Sequence, residues 1–389
     1  MPPALRSRRS LFTLFADVLA PAPARRALVT VFLRGGADGL ALVPPHGDPA
    51  LARLRPALVQ PPPGAEPTSV LDLDGTFGLH PALAPLLPWW HDRRLAIVHA
   101  VGSDDATRSH FEAQDQMEQG ASCGRSLAGG WLGRLLRAEQ AAGLSAVALG
   151  PYVPEALRGA PMVAAMESLD ALGARTRGLA TDALERLYGL EQGLLAQAGR
   201  DTFDLLRRVH GLERRPLTER PVYPEGAFGA GLRDLADLLR ADLGLRAACL
   251  DLAGWDTHFF QGTGAGPLAS RADELARGLA AFLQDLGPRA GAVDVVVLTE
   301  FGRRAHENAS LGTDHGRGSV LFVIGDGLRG GQVHGRWPGL AEAALEGPGD
   351  LAVTTDYRDV LCEVIAHAGG PSPGEVFPGH VPRPVGLLG

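Results

Sequence analysis

The chain is 389 residues long, with 45% hydrophobic and 21% charged residues, the make-up of a folded globular protein and not of a disordered one. At roughly one domain per 150 residues, this length suits two or three units, or one large α/β domain carrying an insertion. Arginine supplies all 37 basic residues against 44 acidic ones. The net charge of −7 excludes a globally basic nucleic-acid binder. The absence of lysine excludes pyridoxal Schiff bases, P-loop nucleotidases, protein kinases and serine–lysine hydrolases.

Residues 1–26 are basic (Arg6, Arg8, Arg9), then apolar, then small (Ala22-Pro23-Ala24). Ser7-Arg8-Arg9 ahead of Leu11-Phe12 resembles a twin-arginine export signal, which would place the protein in the periplasm or outside the cell. Asp17 interrupts the apolar stretch. The alternative is an N-terminal helix retained on a cytoplasmic protein. No run reaches the roughly 18 apolar residues of a membrane span, so no integral span is expected.

From residue 27 onward a single α/β domain is expected. Residues 27–33 form an unbroken apolar run that predicts a buried strand, ending at Arg34-Gly35-Gly36-Ala37-Asp38. A proline-rich loop follows at 61–67, then a helix over 80–94 and a second buried strand at 95–101. Ser109-His110-Phe111-Glu112 fits a Ser-x-x-Glu capping box that opens a helix. Residues 165–245 carry Leu and Ala at helical spacing among charges, which predicts a helical insertion. Strands at 246–252, 293–299 and 320–324 alternate with helices near 268–286 and 356–368. This alternation predicts a largely parallel sheet flanked by helices. The three cysteines, Cys123, Cys249 and Cys362, form no paired motif, so neither a zinc ribbon nor a disulfide framework is expected. No predicted strand runs into a Gly-x-Ser-x-Gly elbow, which argues against an ordinary α/β-hydrolase.

Ligands of open α/β sheets bind outside the carboxyl ends of the strands. Asp38, Ser109, Asp256 with His258, and Glu300 follow four separate strands, and Asp314-His315 precedes the next one. Singly, Asp38 reads as a turn residue and His99 as a core histidine. Together, converging carboxylates and imidazoles would repel and desolvate one another without a cation. A divalent-metal site, zinc or manganese, explains the set economically.

The motifs Leu33-Arg34-Gly-Gly-Ala-Asp38-Gly, Arg108-Ser109-His110-Phe111-Glu-Ala-Gln-Asp115, Gly254-Trp-Asp256-Thr-His258, Thr299-Glu300-Phe-Gly-Arg303 and Gly312-Thr-Asp314-His315-Gly resemble the bacterial family called domain of unknown function 1501. That family is related to the alkaline phosphatase/sulfatase superfamily. The resemblance implies an alkaline-phosphatase-like fold with one or two metal ions. Ser109 would be the nucleophile, and would gather with Asp38 and Glu300 at one metal. Asp256, His258 and His315 would gather at the other, with Asp314 bridging or orienting a histidine. Arg34 and Arg303 would bind the anionic oxygens of a small phosphate or sulfate ester. His110 would assist as an acid–base group or merely cap the helix. The alternatives are a catalytically degraded binding or envelope protein, or a metal-dependent phosphosugar mutase. Glu300-Phe301 stands where the superfamily's phosphatases carry Asp-His, so one of the two metals would be weak, absent or different.

Overall fold

Ala27–Arg34 forms strand β1 of a central sheet, and its first seven residues are buried. The computed structural model describes residues 25–388, apart from 142, 171–180 and several positions between 191 and 215. The remaining strands of the sheet are β2 (Leu95–Gly102), β3 (Ala146–Leu149), β4 (Val163–Met166), β5 (Ala247–Ala253), β6 (Val293–Leu298), β7 (Ser319–Ile324), β8 (Gln332–His334) and β9 (Thr355–Asp356). Their order is β8-β2-β7-β6-β1-β5-β3-β4, with β9 also paired to β2. Strand β7 runs antiparallel to β2 and β6, and the other pairings are parallel. The expected mostly parallel α/β sheet is therefore the observed one.

The two-residue period of β1 splits the core into two layers. Val29, Val31 and Leu33 point to one face, where they meet α3 (Ala227–Arg240) and α4 (Pro267–Leu286) through Leu232, Leu235, Leu279 and Phe282. Leu28 and Phe32 point to the other face. There they share a core with Met117 of α1 (His110–Gln119), Leu132 and Leu135 of α2 (Trp131–Ala138), and Val360 and Val364 of α5 (Tyr357–His367). In α4 the buried positions Ala272, Leu275, Ala276, Leu279, Phe282, Leu283 and Leu286 recur at steps of three and four, the stripe of a helix lying on a sheet. Each fully buried Leu or Phe contributes about 1.5–3 kcal/mol.

Within the range expected as a helical insertion, Thr181–Leu190 is helical, whereas α3 lies in the main core against α4 and β5. Of residues 1–26, expected to be a twin-arginine signal or an N-terminal helix, 1–24 lie outside the described residues. No helix among the described residues is long and apolar enough to cross a membrane. His99 is a core residue as expected: its Nε2 lies 2.9 Å from the Val43 carbonyl, and burial pushes its pKa down to about 4.

Candidate functional site

Strands β1, β2, β5 and β6 end on one rim, and β7, being antiparallel, begins there. Two glycines let β1 turn into this rim. Gly35 has φ +120, and a Cβ there would stand 2.6 Å from the Asp256 backbone nitrogen. Only glycine lets the β1 turn press against the loop that carries Asp256.

Helix α1 enters from the far side of the rim. Its N-cap is Ser109, in extended backbone, and the hydroxyl makes no capping hydrogen bond. The helix begins where the sequence predicts, but Ser109 and Glu112 form no capping box, and Ser109 N donates instead to Thr107 Oγ1 at 3.3 Å. His110, Gln114 and Glu118 follow at i, i+4 and i+8, so they lie on one face of the helix. That face meets the ends of β6 and β1. Glu300 Oε1 accepts from His110 Nδ1 at 2.8 Å, from Gln114 Nε2 at 2.9 Å and from Gly35 N at 2.9 Å. Arg34 donates to Gln114 at 3.1 Å and is ion-paired to Glu118.

Three imidazoles meet at Asp256. His315 Nδ1 donates to the Arg108 carbonyl at 3.0 Å, and His258 Nδ1 faces Asp314 at 3.3 Å. With His110 Nδ1 on Glu300, every Nδ1 has an acceptor, which assigns the lone pair of each ring to Nε2. The His258 and His315 Nε2 atoms lie 3.0 Å apart, and 3.2 and 3.1 Å from Asp256 Oδ1. His110 Nε2 is 3.6 Å from Asp256 Oδ2 and is buried without a hydrogen-bond partner. One ligand atom each from His110, Asp256 and His315 lies within 4.8 Å of the others. Facing lone pairs beside a carboxylate repel, and a cation removes the conflict. Imidazoles whose far nitrogens are tied to carboxylates or carbonyls are the arrangement metal sites use to fix tautomer and ring direction. The residues present therefore fit a divalent metal.

The electrostatics agree. Burial pushes Asp256 up, but the hydrogen bond and positive charge of the Arg303 guanidinium outweigh it and hold the carboxyl at about 2. Burial likewise opposes, without reversing, the lowering of Glu300 by His110 and Gln114. Asp314 is lowered by the Asn308 amide. His110 is raised by its hydrogen bond to Glu300, whereas burial lowers His315.

A family model described as "Protein of unknown function (DUF1501)" matches residues 96–387, well over half of the chain. The chain belongs to the DUF1501 family. No curated protein matches this DUF1501 chain. Among solved structures it is similar to the C-terminal periplasmic domain of EcEptC from Escherichia coli in complex with Zn, at 11% identity and TM-score 0.40, covering 92% of this chain and 88% of that one. It is also similar to a phosphonate monoester hydrolase of Agrobacterium radiobacter, at 12% identity and TM-score 0.37, covering 89% and 74%. A third is the alkaline phosphatase of the Antarctic bacterium TAB5, at 10% identity and TM-score 0.30, covering 78% and 92%.

Of the two trios expected at the rim, Asp256, His258 and His315 come together in the DUF1501 structure, within 3.0–3.2 Å of one another, whereas no hydrogen bond or ion pair joins Asp38, Ser109 and Glu300. Glu300 stands behind His110 instead of beside Asp38. Asp38 is fully buried, accepting from Arg55 Nη1 at 2.6 Å and Gln261 Nε2 at 2.7 Å, so its charge is already compensated. Asp314 orients His258, the second of its two expected roles. The arginines are engaged as well. Arg303 is 1% exposed and donates to the carbonyls of Gly36 and Thr313, to Asp256 and to the Gly35 carbonyl. Arg34 sits on the even face of β1 with Leu28 and Phe32, which aims it under α1 at Glu118 and Asp251. Neither guanidinium is free for a substrate.

Several supporting residues escape a search of strand ends. Gln114 and Glu118 could have been found by their i+4 spacing from His110. Arg55, Gln261 and Asn308 lie in loops without a sequence signal. Asn308 Nδ2 donates to Asp314 at 3.0 Å and to the His258 carbonyl at 3.0 Å, and so holds the loop in place.

Proposed function

We propose that this DUF1501 protein is a divalent-metal-dependent hydrolase of phosphate or sulfate esters. The observation that carries this reading is the convergence of the three Nε2 atoms on Asp256, each ring locked from behind. His110, Asp256 and His315 would hold the metal, zinc or manganese, with His258 at its edge. When bound, the metal supplies Lewis-acid polarisation of an ester oxygen and lowers the pKa of a ligated oxygen. Imidazole nitrogen with carboxylate oxygen is a donor set that suits both metals.

Ser109 is the nucleophile in this reading. Its hydroxyl caps nothing and stands at the start of α1, where helix N–H groups favour negative charge. The serine oxygen bonds to phosphorus or sulfur while the ester's alcohol oxygen leaves with the bonding pair and takes up a proton. Water then releases phosphate or sulfate and returns the hydroxyl. Glu300 keeps His110 in one tautomer throughout, and Arg303 pins Asp256. Such a protein fits export to the periplasm, with a small anionic ester as its substrate.

Elemental analysis of protein purified without chelators tests the centre. Wild type should carry a divalent metal, and Asp256→Ala and His315→Ala should each lose most of it. Equal metal in all three would overturn the reading. Turnover of generic phosphate and sulfate esters, abolished in Ser109→Ala, tests the chemistry. Metal retention with no turnover would favour a binding protein built on the same centre.

A further inference from the structure

Phe111, Phe259, Phe260 and Leu311 are 84%, 68%, 70% and 44% exposed. All four belong to the segments that build the metal centre. Phe111 follows His110 directly, and Phe259-Phe260 follow His258. The Phe259 ring centre is 6.4 Å from that of His258. Leu311 belongs to the loop that carries Asp314, and it is tied to the His258 loop by Phe260 N to Ser310 O at 3.0 Å and Gln261 N to Leu311 O at 2.9 Å. Scattered apolar side chains need no account, whereas several carried by the very segments that hold His110, His258 and Asp314 do.

The backbone adds a second, independent observation. Phe260 and Leu311 both have positive φ, 46° and 55°, as does Arg108 at 56° beside the nucleophile. Bulky residues avoid this region, because Cβ there crowds the following carbonyl oxygen. Glycine or asparagine would sit there more comfortably. Strained backbone that holds a large apolar group out in water gains nothing for folding, and such outliers gather at ligand sites.

We infer that these residues form an apolar collar selecting esters whose alcohol portion is bulky and hydrophobic, an arylalkyl or long alkyl group, over small or sugar-like alcohols. The inference rests on the proposed function for the location of the ester group. The polar centre takes the anionic end, and the collar covers the leaving alcohol.

The test separates the two claims. Binding of 3-phenylpropylphosphonate and ethylphosphonate, which present the same anion and cannot be hydrolysed, is measured by calorimetry on the metal-loaded full chain. Covering about 50 Å² of apolar surface predicts roughly tenfold tighter binding of the phenylpropyl compound. The Phe259→Ser/Phe260→Asn double variant should bring the two constants within about twofold. Both residues are exposed, and asparagine tolerates positive φ, so the fold is spared. In parallel, kcat/KM is compared for 3-phenylpropyl and ethyl phosphate, whose leaving alcohols are of similar acidity. A binding preference without turnover upholds the collar and overturns the hydrolase. Turnover with equal affinities and equal kcat/KM upholds the hydrolase and overturns the collar. Equal affinities together with self-association that the double variant abolishes would also overturn it, in favour of a contact between copies.

Discussion

Arg303 shows how a residue of the right type at the right strand end can serve the frame and not the ligand. Its guanidinium joins the β1 turn, the His258 loop and the β7 approach through buried carbonyls, and it also holds Asp256. Lysine offers a point charge in place of a planar fork and cannot reach all of them. Arg303→Met should lower stability by on the order of 3 kcal/mol in denaturant titration, because several buried acceptors lose their partner at once. An arginine serving substrate alone would instead leave stability unchanged and raise KM. Asp256 yields a pH prediction with a definite sign. Its folded-state pKa is depressed to about 2 from 3.8, so its contribution is present above pH ~4 and is lost as pH falls toward 2. In metal-free protein, the gap in melting temperature between wild type and Asp256→Asn should be full at pH 6 and should narrow progressively below pH 4. A gap that widens on acidification would contradict this assignment.

Helix α1 carries much of the site's geometry on one face. His110 faces the rim, Gln114 links Glu300 to Arg34, and Glu118 anchors the helix to β1 while accepting from Ala156 N at 3.0 Å. Gln114→Ala should lower metal affinity with little loss of helix stability, since alanine is a good helix former. A competitive chelator titration against wild type measures it. Helix starts allow a second comparison. Asp356 caps α5 by accepting from Arg358 N at 2.8 Å, whereas the Ser109 hydroxyl caps nothing. Asp356→Ala should cost about 1 kcal/mol. Ser109→Ala should leave the melting temperature unchanged while removing turnover. A comparable stability loss in both variants would return Ser109 to a structural role.

Across the whole molecule, the centre ties together segments from five parts of the chain: the β1 turn, α1, the β5 loop, the end of β6 and the approach to β7. A metal bound there favours the folded state over the unfolded chain. At a free concentration 100 times its Kd it adds about 2.7 kcal/mol. Zinc or manganese should therefore raise the melting temperature of chelator-treated wild type in a concentration-dependent manner, and chelator should reverse the rise. His315→Ala should show no such response. The buried Asp38–Arg55–Gln261 network stands beneath this assembly, with Gln261 Oε1 also accepting from Thr257 and Thr313 at 2.8 and 2.7 Å. It holds the His258 loop to the β7 approach without touching the cluster itself.

What was legible in the sequence follows from local physics. Mostly apolar runs such as 27–33, 247–252 and 293–298 read as strands buried on both faces, and their ends carry Asp38, Asp256 with His258, and Glu300 to one rim. The motifs likewise sufficed to name the DUF1501 family. The short strands β3, β4 and β8 carried no comparable signal, because three or four residues are too few to show a period. Tertiary structure alone decided how the rim residues divide. Register placed Arg34 on the face under α1, and the antiparallel run of β7 brought His315 beside His258. Burial gave Asp38 to Arg55 and made Arg303 part of the frame. His110, which could equally have been a cap, became a central member because the packing of α1 on β6 sets its Nδ1 against Glu300. Spacing along a chain specifies which strand end a residue occupies. Which neighbour neutralises its charge depends on partners from distant segments, and these meet only once the sheet and its helices have packed.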